Sequence, residues 1–169
     1  HNGPGSHSRE DLLAVTKFWI DNYFQEPGYY TVDGRPVVII FNPSGIWSDM
    51  GGPEPVAEAF QAMRDLCESQ GVPPVYLVAC SPPVTTWHDQ FEASGYDALS
   101  AYNWPGLGTD GLRDVPFRDL LAPHAEAWRD KDEASDLPIM TPISGGWDSR
   151  PWHGDGALVR SDRKPEFFE

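Results

Sequence analysis

The sequence predicts an α/β chain with parallel strands, in one of two closures. One is a (β/α)8 TIM-type barrel, of which the chain covers about four βα units; the alternative is an open doubly wound sheet. Three observations predict this class. Apolar, β-branched runs alternate with helical periodicities along the 169 residues, an order that calls for parallel strands joined by right-handed crossovers. The runs are continuously apolar, as in strands covered on both faces. No glycine-rich phosphate turn follows any of them, which removes the usual dinucleotide-binding signature. A whole barrel takes roughly 250 residues. We therefore expect residues 1–169 to be one domain, the central to C-terminal part of a larger barrel whose remaining strands come from flanking sequence. His1 in place of Met, and the helix-start pattern Lys164-Pro165-Glu166-Phe167-Phe168-Glu169, carry the same expectation of a fragment.

The elements follow in order. Ser8-Arg9-Glu10-Asp11 resembles a capping box, in which a hydroxyl and a carboxylate satisfy free amide donors. Leu12, Val15, Trp19 and Tyr23 then recur at helical spacing, and Pro27-Gly28 stops the helix. After Tyr29-Tyr30-Thr31-Val32 comes the turn signal Asp33-Gly34, then the buried-strand run 35–41. Pro53 to Ser69 reads as a helix with Val56, Ala59, Phe60, Met63, Leu66 and Cys67 on one face, and Gly71 as its stop. Residues 75–80 form a second apolar strand, 87–93 a short helix and 96–102 a third, weaker strand. Residues 117–134 are helical, with Pro123 expected to kink or split them. Residues 137–143 make a fourth strand punctuated by prolines.

Composition excludes some partners. The net charge is −14, with 12 Lys+Arg against 26 Asp+Glu, and nucleic-acid binding depends on neutralising phosphates. Anionic membrane surfaces are disfavoured for the same reason, and no run approaches the eighteen or so apolar residues of a membrane span. The two cysteines, Cys67 in a helix and Cys80 at a strand end, suit buried free thiols and no zinc or disulfide framework. No cofactor is indicated.

In either closure the ligand lies at the C-terminal strand ends. The loops there are residues 42–47, 81–88, 102–106 and 144–153, and they hold five of the seven tryptophans: Trp47, Trp87, Trp104, Trp147 and Trp152. Indole is apolar with one donor and suits a half-wet surface. A sugar ring, with its C–H face and rim of hydroxyls, matches such a surface when Asn, Asp and Arg stand beside it. The densest constellation is Gly146-Trp147-Asp148-Ser149-Arg150-Pro151-Trp152. Asp148 and Arg150 either pair internally and shape the loop or contact ligand directly, and Pro151 restricts Arg150 to extended backbone. Asp97 lies early in the third strand and reads as structural.

Glycoside hydrolysis usually needs two carboxylates about 5–9.5 Å apart. The strand ends offer one clear candidate, Asp148, with Asp49 and Asp110 farther out in loops, and no Glu directly follows a strand. The catalytic residues therefore stay unassigned. His88, Asp89, His153 and Asp155 show no metal-binding spacing, and the histidines read as solvent-exposed loop residues. A Ser-His-Asp triad has no nucleophile elbow to support it.

Three stretches resemble glycoside hydrolase family 99-like (WbsX-like) domains. Residues 22–38, Asn-Tyr-Phe-Gln-Glu-Pro-Gly-Tyr-Tyr-Thr-Val-Asp-Gly-Arg-Pro-Val-Val, are similar to the segment that ends a helix before a barrel strand in that family. Tyr96-Asp97-Ala98 with Tyr102-Asn103-Trp104 resembles its "fDa…Yn" strand, and Gly146-Trp147-Asp148-Ser149-Arg150-Pro151 its "GWD-x-RP" loop. The resemblance implies a (β/α)8 barrel acting on glycans, endo-acting on α-mannosides in the family-99 case. It implies Tyr102, Asn103, Trp104, Trp147, Asp148 and Arg150 as pocket-lining, substrate-binding positions. It carries over no catalytic residue: the family's carboxylate motifs fall upstream of the matched region or after Glu169. The expected activity is therefore a glycosidase acting on mannose-containing or related polysaccharide. The other readings are a non-catalytic carbohydrate-recognition module associated with polysaccharide biosynthesis, and a flavodoxin-like sheet binding a small metabolite.

Overall fold

The computed structural model describes residues 6–162 and 164–167; the side chain of Phe167 and residues 1–5, 163, 168 and 169 lie outside that description. The expected helix start at 164–169 is thus described only at Pro165–Phe167, a single 3-10 turn. In chain order the elements are α1 (Arg9–Asn22), β1 (Thr31–Val32), β2 (Arg35–Ile40), α2 (Pro43–Met50), α3 (Pro53–Ser69), β3 (Tyr76–Cys80), α4 (His88–Ala93) and β4 (Ala98–Ser100). Then follow β5 (Asp114–Pro116), α5 (Leu121–Ala134), α6 (Arg150–His153) and β6 (Val159–Ser161).

Ser8 caps α1: its Oγ accepts from the Asp11 amide at 3.1 Å and donates to the Asp11 carboxylate at 2.7 Å. The carboxylate thus holds the cap's hydroxyl rather than its backbone. Ser8→Ala is expected to cost about 1 kcal/mol, measurable as a lowered urea midpoint. The buried face of α1 is Leu12, Thr16 and Ile20, continued by Phe24, one step round from the expected Leu12–Val15–Trp19–Tyr23 face. Thr16 can enter the core because its hydroxyl donates to the Leu12 carbonyl at 2.7 Å. Helix α3 matches its expected bounds and buries Val56, Ala59, Phe60, Met63 and Cys67.

The main sheet has the order β1-β2-β3-β4, with β1 antiparallel on β2 and the rest parallel. The parallel strands therefore neighbour one another in chain order without reversal, and the sheet curls as half of a barrel. Its two faces differ. Val38, Leu77, Ala79 and Leu99 point into one large core with residues of α1, α3 and α4. Val37, Val78 and Ala98 point the other way, into a small cluster joined by Val32, Tyr76 and Met140, with no helix residue. The expectation of strands covered by helices on both faces is corrected: helices cover one face, and Ile39 and Phe41 on β2 and its end are exposed. One-sided helix cover and unreversed strand order are barrel features and go against the doubly wound alternative.

The fourth expected strand, 137–143, shrinks to one parallel bridge between Leu99 and Ile139, held by Leu99 N–H to Pro138 O at 2.9 Å and Met140 N–H to Leu99 O at 2.8 Å. Pro138 and Pro142 have no N–H to extend the ladder. Helix 117–134 divides into a 3-10 turn, Phe117–Leu120, and α5. The break precedes Pro123, which falls in the first turn of α5, where the missing donor costs little. Residues 43–47, expected as loop, belong to α2, which Asn42 caps by accepting from the Gly45 amide at 3.2 Å.

At the N-terminal end of β4, Asp97 joins three elements. It pairs with Arg35 at 2.8 Å and Arg64 at 2.9 Å, and accepts from the Leu77 amide at 2.8 Å. This is the structural position expected of it.

Candidate functional site at the strand ends

The C-terminal ends of β2, β3 and β4 open onto a cavity of about 480 Å³ lined by Phe41, Cys80, Ser81, Pro82, Pro83 and residues 101–107. Phe41 and Tyr102 stand on its rim, edge to face, with ring centroids 5.4 Å apart and planes at 86°. They are 70% and 72% exposed, so the rings are held by each other and present apolar faces to solvent. Trp104 is different: it is 5% exposed and its indole N–H donates to the Ser81 carbonyl at 3.0 Å. It forms the wall between two strand-end loops rather than an open stacking surface. Asn103 accepts from the Ser144 hydroxyl at 2.7 Å. Ser144 in turn lines a second cavity of about 490 Å³ with Phe117, Leu120, Leu121, His124, Trp128 and Ile143. Burial lowers the His124 pKa, offset in part by its bond to the Leu120 carbonyl.

Tyr102, Asn103 and Trp104 therefore share one cavity. Trp147, Asp148 and Arg150 lie outside its lining, on a neighbouring loop. Trp147 stacks on the exposed Trp152 at 6.2 Å and 15°. Arg150 grips Asp148 with two forked bonds, Nε to Oδ1 at 2.9 Å and Nη2 to Oδ2 at 2.6 Å, and its amide donates to Oδ1 at 3.1 Å. The carboxylate's hydrogen bonds and charge raise the pKa of the guanidinium. The internal pairing of the two side chains is thus present in the structure. Trp47 and Trp87 pack together outside the lining of the first cavity. Trp47 donates to Ser94 Oγ at 2.6 Å and packs on Phe91 and Trp87, against α4.

Arg160, which sequence reasoning missed, connects the two groups. It is buried on β6, and its backbone N–H donates to the Trp147 carbonyl at 2.7 Å. Its guanidinium donates to the carbonyls of Pro105, at 3.0 Å, and Leu107. Only the pairing of β6 with β5, across more than forty residues, brings it there, and no local pattern marks it.

His88 is corrected: it is 3% exposed, at the start of α4, instead of in solvent. Asp89, His153 and Asp155 are exposed. Among the described residues no three His, Cys, Asp or Glu gather as a metal site, and none of the residues lining the first cavity is a carboxylate. Asp49 sits on α2, held by the His7 amide and ring, whose hydrogen bonds lower its pKa. Asp110 occupies a left-handed turn position with φ 49°.

The fold and the strand-end cleft define a partial (β/α) barrel. A solved structure described as a glycoside hydrolase-like protein superposes with a TM-score of 0.68 at 18% identity, covering 95% of this chain and 44% of that one. The GH99 endo-alpha-mannosidase from Bacteroides thetaiotaomicron superposes at 0.59 with 16% identity, covering 92% of this chain and 43% of that one. At these identities the likeness is one of fold, and the chain spans less than half the length of either structure. No family model and no curated protein matches the sequence.

Proposed function

We propose that the chain is the substrate-holding part of a glycan-active barrel of the glycoside hydrolase type, acting on mannose-containing or related polysaccharide. The observation that carries this reading is the exposed Phe41–Tyr102 pair on the rim of the strand-end cavity. Its faces suit the C–H side of a sugar ring, with the Asn103 amide and the Tyr102 hydroxyl within the same lining for the ring hydroxyls. The remaining barrel strands join at the sheet edges and close over the exposed inner face around Ile39 and Phe41, and the catalytic carboxylates come from outside this cavity lining.

A second reading, a carbohydrate-recognition module without turnover, is favoured by the engagement of Asp148 with Arg150. Product release distinguishes the two: reducing ends freed from mannan by the full-length protein support the enzyme, and binding without release supports the module. For either, Tyr102→Ala is expected to weaken manno-oligosaccharide binding about three- to tenfold, the worth of one aromatic contact. Its melting temperature should stay unchanged, because the ring is exposed. Unaltered affinity in a fluorescence titration rejects the proposed platform.

A further inference from the structure

Lys131 is the least expected group in the interior. It lies on the buried face of α5 with His124 and Ala127 and is 1% exposed. A methionine would fill such a site without the cost of desolvating an ammonium, so the contacts of the charge matter. Its Nζ donates to the Val84 carbonyl at 2.9 Å, in the loop after β3. It stands 3.4 Å from His88 Nε2 on α4 and 5.9 Å from the ring centroid of Trp104, in the loop after β4. Among the described residues no carboxylate lies within ion-pair distance of it. The titratable groups around it are His88 and, across the indole, His124, whose ring centroid is 5.6 Å from that of Trp104. Its neighbours on α5, Asp130 and Asp132, are exposed.

All three contacts thus fall on segments that build or back the strand-end cavity. Ser81, Pro82 and Pro83 line it just before Val84, and Trp104 lines it directly while bonding Ser81. We propose that Lys131 is a positioning residue for the cleft: from behind, its ammonium sets the 81–87 loop against Trp104 and so the width offered to a ligand. The identity of the ligand rests on the glycan-binding reading above; the positioning role does not.

Burial brings the Lys131 pKa down to about 8, so the charge can be removed without unusual conditions. The neutral amine still donates to Val84, but the bond loses its charge assistance and the indole face loses its cation. Two readouts test the proposal. In the ligand-free chain, the Trp104 indole N–H resonance, assigned by comparison with Trp104→Phe, is expected to titrate with a midpoint near 8. That titration should vanish in Lys131→Met, and also in Lys131→Arg, which stays charged. The same midpoint in Lys131→Met overturns the proposal. Manno-oligosaccharide affinity is expected to fall about three- to tenfold above this midpoint in the native chain, the difference between a charged and a neutral donor. In Lys131→Met it should be weak and independent of pH. A titrating Trp104 with pH-independent native affinity also overturns the positioning role. Absence of glycan binding at every pH rejects the glycan reading, while the indole titration then decides the positioning role by itself.

Discussion

Asp97→Ala is expected to destabilise the chain by about 2–3 kcal/mol, between the range of exposed pairs and the cost of breaking a fully buried pair from one side, because the three side chains are half-buried. The carboxylate takes two guanidinium groups, from β2 and α3, and one amide from β3. Arg35 is further committed to the carbonyls of Pro74 and Val75 and lies over the Tyr76 ring at 5.0 Å, so it cannot swing into solvent without losing those contacts. Removing Asp97 therefore leaves two cations crowded at the N-terminal rim of the sheet with no counter-charge between them. Urea denaturation should show a lowered midpoint with an unchanged slope, and a loss below about 1 kcal/mol, the range of exposed pairs, would contradict the account. Asp97 lies at the opposite strand ends from the cavity, so ligand affinity of the folded fraction should be unaffected.

Arg160→Ala is expected to cost about 2–4 kcal/mol, because it leaves the Pro105 and Leu107 carbonyls without their donor. Lysine cannot replace it, since one ammonium cannot span two carbonyls as the planar fork does. The larger consequence is local. Arg160 and the short β5–β6 ladder are what hold the Trp147–Trp152 segment against the 104–107 loop. Amide hydrogen exchange should therefore lose protection across residues 147–161 in this variant, while residues 35–40 and 76–80 keep theirs. Uniform loss across the chain would show that Arg160 supports the whole fold rather than this junction.

What could be read beforehand was local and periodic. The capping by Ser8, the extent of α3 and the Asp33-Gly34 turn depend on short-range hydrogen bonds and helical spacing. The turn appears as expected, with φ 51° at Asp33 and 76° at Gly34. Helix α2 escaped because Asn42-Pro43-Ser44-Gly45 has the composition of a loop, and an eight-residue helix leaves little periodicity to detect. Strands β5 and β6, three residues each, carry no pattern longer than one alternation. Of the five tryptophans in the expected strand-end loops, Trp104 is the one in the lining of the first cavity. Which aromatics face solvent is not legible in the sequence: Phe41 belongs to a strand run yet stands exposed on the rim, and Trp104 lines the cavity while almost wholly buried.

Legible in the sequence were the α/β class, the parallel relation of β2, β3 and β4, and the end of the sheet at which the cavity opens. Those follow from apolar spacing and turn chemistry, which act over a few residues. Long-range packing alone makes helices cover one face of the sheet, buries His88 and Lys131, and couples two loops through Arg160. Each depends on contacts between residues well separated in sequence, where the outcome is set by which groups find partners when water is excluded. The periodicity of one segment holds no record of that.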